Sequence, residues 1–229
     1  MASWIIHLRV AQELMERTKI KCAAEFIMGN IAPDSGMPNE DGSGFVPSSE
    51  VSHYNQKDEN GIKGIHEELF IRNYLTEEQR KKYTQEQYTF CLGYLAHLLT
   101  DKLWASKIVY SAKAQMEDLF RENNAEFWRL VKRDWYDLDF LYLKRNPAFS
   151  AFQIYEKTTE FKNTLLDFFA EDALENRREF ITGFYREGVE KVKERETYIS
   201  LKELDAFVTD SVDEIIKQCN EYLCELSEK

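Results

Sequence analysis

The stretch Phe90–Trp104, FCLGYLAHLLTDKLW, is apolar and aromatic along most of its length, yet it carries His97 and Asp101 four residues apart. On a helix, residues three, four and seven apart share a face. Phe90, Tyr94, His97, Asp101, Trp104 and Ile108 therefore form one stripe, with an imidazole and a carboxylate at its centre. No Lys or Arg shares the stripe, and Lys102 lies about 100° around the helix. A buried carboxylate needs a hydrogen-bonding partner, a cation or a metal. Two readings stand at this point: a hydrogen-bonded core couple, or two ligands of a metal ion.

The same periodicity runs through the rest of the chain and gives an all-α fold. SWIIHLRVAQELMERT places Trp4, His7, Leu8, Ala11, Leu14 and Met15 on one stripe, with Ser3 as its cap. KIKCAAEFIMGN reads as a second, short helix. Thr76 with Gln79 and Thr84 with Gln87 have capping-box spacing, and the second box opens a long helix from about Gln85 to Lys113. Further helices are expected over Gln115–Leu143, Phe149–Phe169 and Ala173–Lys193, with a break near Asn146-Pro147. Ser200 and Glu203 cap a last helix that runs to about Leu226. No alternating pattern marks a strand. A length of 229 residues with 43% hydrophobic content suits a single helical domain over residues 1–229.

The net charge is −11, which makes the chain a poor ligand for nucleic acid and for anionic membrane surfaces. No stretch approaches the 18 or so apolar residues of a membrane span. MASWIIHLRVAQEL lacks a basic start, and its apolar run is broken by His7 and Arg9, so it does not read as a signal peptide. Cys22, Cys91, Cys219 and Cys224 have neither zinc-knuckle nor disulfide-framework spacing. They read as reduced thiols, which fits a cytoplasmic protein.

Gly29 to Gly64 breaks the helical pattern. It holds six of the nine glycines and three of the four prolines, and reads as a long structureless loop. Such loops are disordered or functional. This one contains GNIAPDSG and VSHY, and so carries Asp34 and His53. His7 sits on the inner stripe of the first helix, where it is either a satisfied core histidine or a ligand. His66 reads as a surface or capping residue. Two inward-facing histidines and a loop bearing Asp and His make a convergent set of the kind that helical bundles use for metals. In RDWYDLDFLYLKR, Asp134, Asp137 and Asp139 read as a solvated face or as helix–helix contacts.

Taken together, WIIHLRVAQEL, GNIAPDSG, VSHY and YLAHLLTDKLW resemble the bacterial zinc-dependent phospholipase C family, which shares an all-helical fold with the zinc-dependent single-strand nucleases. The resemblance covers roughly the first half of the chain. It implies a zinc held by Asp34, His53, His97 and Asp101. It also implies a second ion that shares Asp101 and takes His7. Asp34 would act as ligand and catalytic base, and the reaction would be hydrolysis of a phosphoric ester by metal-activated water. No histidine follows His97, so the family's third metal site has no counterpart, and one or two ions are expected. Zinc suits the donors, with iron and manganese open. The implied substrate is a small phosphate ester or a phospholipid-like headgroup, and nucleic acid is not expected. Two rival readings remain: a helical metal-binding protein without catalysis, and a helical scaffold without metal.

Overall fold

The structure, a computed structural model, describes residues 1–39, 41, 43–191 and 197–226. It is mostly helical, with two small two-stranded sheets. In chain order the elements are α1 (Trp4–Arg17), α2 (Ala23–Ile31), a 3₁₀ turn (Ala32–Asp34), β1 (Met37–Pro38), β2 (Phe45–Val46), α3 (Ser49–Ser52), β3 (Asn55–Lys57) and β4 (Lys63–Ile65). Then follow α4 (Glu67–Tyr74), α5 (Glu77–Lys82), α6 (Gln85–Trp104), a π-helical turn (Ala105–Val109), α7 (Tyr110–Gln115), α8 (Glu117–Glu122) and α9 (Asn124–Arg145). The chain ends with α10 (Ser150–Lys157), α11 (Ala173–Val189), α12 (Leu201–Gln218) and α13 (Asn220–Glu225). The buried apolar residues form one contiguous core. Among the described residues no helix is long and apolar enough to cross a membrane.

All three capping boxes form both of their reciprocal hydrogen bonds, at Thr76, Thr84 and Ser200. Two expected helices differ from the pattern. The helix expected over Gln115–Leu143 is broken at Met116 and again at Asn123, whose side chain accepts from the Glu126 amide at 3.1 Å and starts α9 afresh. The helix expected over Phe149–Phe169 stops at Lys157. The Thr158 hydroxyl turns back onto the Ile154 carbonyl (2.7 Å) and Glu160 takes a left-handed φ of 57°. After that, Asn163 bonds the backbone of Leu165 and Leu166 instead of continuing a helix. The expected end of α11, Lys193, lies outside the described residues.

The Gly29–Gly64 segment is not structureless; its positions 40 and 42 lie outside the described residues. Gly29, Asn30 and Ile31 complete α2, and two hairpins follow in which Met37 pairs with Val46 and Asn55 with Ile65. The second hairpin turns on Asp58, whose carboxylate accepts from the amides of Asn60 (2.9 Å) and Ile62 (2.8 Å), with Gly61 at φ 78°. Hydrogen bonding by local side chains, which an alternation test does not detect, makes these short strands.

The helices α2 and α6 cross at van der Waals distance. A Cβ on Gly29 would stand 2.1 Å from the Phe90 carbonyl oxygen, and one on Gly93 would stand 2.1 Å from that of Phe26. These two glycines let the backbones touch. The contact also brings the Asn30 carbonyl within 2.6 Å of His97 Nδ1. Gly93→Ala is therefore expected to push the helices apart, lowering stability by about 3 kcal/mol, the upper range for an overpacked core. Denaturant unfolding checks this, and a variant as stable as the wild type would show that the crossing has slack.

Two of the three aspartates on α9 are not on a solvated face. Asp134 is fully buried and caps the amides of Thr197 and Tyr198. Asp139 is 1% exposed and accepts from Ser3 Oγ (2.8 Å) and Tyr185 Oη (2.7 Å). Both make contacts between segments, the other reading of this run. Burial pushes the Asp139 carboxyl up to about 7, against the pull of Tyr185, Ser3 and Arg9. A folded-state pKa above the ordinary 3.8 gives stability that is fully present below that value and lost as pH rises through about 7. Relative to Asp139→Asn, the wild type should lose on the order of 4 kcal/mol between about pH 4 and pH 8. Urea unfolding of both proteins in chelator reads this difference, and a flat difference across that range would show Asp139 titrating normally.

Candidate metal centre

Five side chains from four segments meet inside the core, and they are the five singled out in the sequence. His7 comes from α1, Asp34 from the 3₁₀ turn after α2, His53 from the end of α3, and His97 and Asp101 from α6. His7, His97 and Asp101 make one group and Asp34, His53 and His97 a second. Within each group the donor atoms lie within 4.8 Å of one another. His97 belongs to both.

Each donor is positioned by identifiable local chemistry. His97 lies on a helix buried on nearly every side rather than along one stripe, so its face is chosen by the neighbours it meets. Its ring stacks on His7, with centroids 3.7 Å apart and planes 4° from parallel. Its Nδ1 donates to the Asn30 carbonyl, so its proton sits there and Nε2 presents a lone pair. His53 Nδ1 is 2.9 Å from Ser52 Oγ, and the Tyr94 hydroxyl donates to the Ser52 carbonyl, tying α3 to α6. Directly after His53 the chain turns through Tyr54 at φ 51°. A left-handed non-glycine residue costs about 1–2 kcal/mol. Burial of the Tyr54 ring against Phe70 offsets that cost. Asp101 Oδ1 accepts from the Ala2 amide at 2.6 Å.

The distances describe a cluster rich in lone pairs. His97 Nε2 is 3.3 Å from His53 Nε2 and 3.5 Å from Asp101 Oδ2. His53 Nε2 is 3.1 Å from Asp34 Oδ1 and 3.8 Å from Asp101 Oδ2. His7 Nε2 is 3.3 Å from Asp101 Oδ1. Asp101 Oδ2 and both ring nitrogens of His7 are buried with no hydrogen-bond partner among the described residues. One proton can bridge His53 to either neighbour, but the remaining acceptors still face each other in a dry interior. Orphaned buried acceptors of this kind are expensive, and a cation among them removes the penalty. The donor set fits a divalent metal.

The electrostatics agree with that fit. Burial and the adjacent His97 push the His7 pKa down to about 4, against Asp101, so His7 is neutral at pH 7, as a ligand must be. Burial opposes ionisation of Asp34, but the hydrogen bond to His53 and the nearby imidazoles bring it down to about 2. Burial opposes ionisation of Asp101 as well, but the positive charge of the amino terminus, with the contacts to His7 and His97, holds it well below the usual carboxylate range. His97 is the exception: burial lowers its pKa, but Asp101 and Asp34 outweigh burial and raise it above the ordinary value, so a metal would have to displace a proton held more firmly there.

Compared with known protein families, with characterised proteins and with solved structures, the chain matches none. A functional reading therefore stands on the geometry of this centre.

Several neighbours were not legible in the sequence. The Asn30 carbonyl and the Ala2 amide are backbone groups with no residue-type signal. Ser52 adjoins His53, and a hydroxyl beside a candidate ligand was the one available hint. His66 is half-buried at the start of α4, with Nδ1 2.8 Å from Glu68 Oε1, and takes no part in the centre. Trp4 packs among Tyr136, Phe180, Phe184 and Tyr185 rather than on the donors. The four cysteines are free and stand apart from the centre.

Proposed function

We propose that the protein is a metal-dependent hydrolase of phosphoric esters, similar in chemistry to the zinc-dependent phospholipases C. The observation that carries this reading is the convergence of two carboxylates and three imidazoles, with orphaned acceptors, in a buried site whose least buried donor is Asp34. The Asp34 side chain is 10% exposed and that of His53 5%, while those of His7, His97 and Asp101 are fully buried. Zinc best fits mixed nitrogen and oxygen donors, with iron or manganese as alternatives. Asp34, His53 and His97 form the more complete site, because both imidazoles have their other nitrogen engaged, which fixes the ring. His7 with Asp101 and His97 forms the looser one. A bound divalent ion supplies Lewis acidity and acidifies water toward neutral pH.

The chain's own residues supply the rest. Asp34, the least buried donor, stays ionised at neutral pH and would accept the proton of the attacking water. Asn30 and Ser52 keep the imidazoles oriented. The apolar walls of α6 exclude bulk water, which strengthens every charge interaction inside.

One observation favours a second reading, a helical metal-binding protein without catalysis: the donors are nearly closed off, as in structural zinc sites. Elemental mass spectrometry of protein purified without chelator or metal-affinity resin, followed by a panel of phosphomonoesters and phosphodiesters with zinc, manganese or iron, decides between them. Bound metal with no turnover of any ester would leave the second reading in place. A metal-free protein that cannot be reloaded would remove both.

A further inference from the structure

Among the described residues four arginines are at most 9% exposed: Arg9, Arg80, Arg177 and Arg178. Three of them have carboxylate partners: Arg9 pairs with Asp205 (2.5 Å), Arg80 with Glu221 (3.2 Å) and Glu225, and Arg178 with Glu175 (2.5 Å). Arg177, on α11, has none among the described residues. Its guanidinium makes a single hydrogen bond, to the Gly36 carbonyl, and its buried Nε has no partner among the described residues. Three aromatic rings surround it, those of Phe180 (5.5 Å), Trp4 (6.0 Å) and Phe45 (6.0 Å). Cation–π contacts recover part of the cost of burial, less than a desolvated charge loses without a counter-ion.

This unpaired cation bonds the segment that carries the least buried donor of the metal centre. Gly36 is two residues from Asp34, the most exposed of the five donors. Tyr136 feels both Arg177 and Asp34: burial and the charges of Asp139 and Asp34 push its phenol up to about 12, while Arg177 pulls it the other way. Tyr155 is 1% exposed, its hydroxyl has no partner among the described residues, and it feels both Arg177 and Asp34. The neighbourhood thus has two unused donors, one of them on a cation with no bonded carboxylate among the described residues, next to a site read as binding phosphoric esters.

We propose that Arg177 binds the substrate's phosphate: its guanidinium, assisted by the Tyr155 hydroxyl, takes a non-bridging oxygen of an ester held at Asp34. A planar fork with a free Nε suits that oxygen geometry. The assignment rests on the phosphoric-ester reading and narrows it to substrates with a negatively charged phosphoryl group.

Calorimetric titration of inorganic phosphate into the zinc-loaded protein tests it, with elemental analysis of every sample. Arg177→Met with unchanged zinc content should bind phosphate at least tenfold more weakly, and Arg177→Lys should recover part of the loss. Phosphate affinity in Arg177→Met equal to wild type overturns the assignment. Should that variant not fold, Arg177→Lys and Tyr155→Phe carry the test, and unaltered affinity in both overturns it. Arg177-dependent phosphate binding by zinc-free protein that hydrolyses no ester would keep the anion site and remove the hydrolase reading. Ester hydrolysis with phosphate affinity indifferent to Arg177 would do the reverse.

Discussion

His97→Ala should retain less than about a tenth of the wild-type metal and should unfold at markedly lower temperature. His97 is the one donor shared by both groups, so its removal breaks both at once. Its Nδ1 also holds the Asn30 carbonyl and its ring stacks on His7. Without it, two carboxylates that are held ionised lose an adjacent imidazole and the ion that would neutralise them. At a free metal concentration about a thousand times Kd, the lost binding alone removes on the order of 4 kcal/mol of stability. Comparing wild type and variant in chelator separates that part from the packing defect: the gap in melting temperature should narrow sharply when metal is withheld from both. Elemental analysis reads the first outcome and thermal unfolding the second. Full metal content in His97→Ala would show that the donors are assigned wrongly, and His66→Ala, outside the centre, is the control that should change neither quantity.

The centre was legible in the sequence because its donors are chemically out of place. His97 and Asp101 interrupt an apolar helical run, His7 interrupts another, and Asp34 and His53 lie in a segment too rich in glycine and proline to be one continuous helix. The fold was legible where side chains bond their own backbone, as at Thr76, Thr84 and Ser200. It was less so where such bonds redirect the chain. Thr158, Asn163 and Asp58 each compete with regular structure through hydrogen bonds that periodicity does not register. The stripe on α6 also pointed to one buried face, whereas Tyr88 to Asp101 is buried throughout. Hydrophobic content of this density marks a central helix rather than an amphipathic one. What periodicity could not reach was the role of the second half of the chain. Asp139 and Tyr185 anchor Ser3, next to the amide that bonds Asp101, and Arg177 reaches Gly36 beside Asp34. Those contacts span 99 to 141 positions except for the pair within that half, and no local pattern encodes them.

His7→Ala separates binding from catalysis. Asp34, His53 and His97 form a complete group without His7, so the variant should keep about one metal ion per chain on the pattern of three protein ligands. The second group would be left with His97 and Asp101 alone, too few to hold an ion firmly. His7 is also the donor whose two ring nitrogens both lack hydrogen bonds among the described residues, so its own group is the less rigidly built. If an ion there helps stabilise the transition state, hydrolysis of a phosphoric ester should fall by about 10²–10³-fold, the size of a lost electrostatic clamp, with little change in affinity for substrate. Steady-state kinetics on the most reactive ester, paired with metal counts on the same samples, reads both quantities. Removing the ring also opens a small void against His97, so melting temperature in chelator should fall modestly and by less than in His97→Ala. A His7→Ala enzyme with full activity and one metal would reduce His7 to a core residue and make this a mononuclear enzyme. An inactive variant with two metals would place the ion elsewhere and leave His7 acting on the substrate itself.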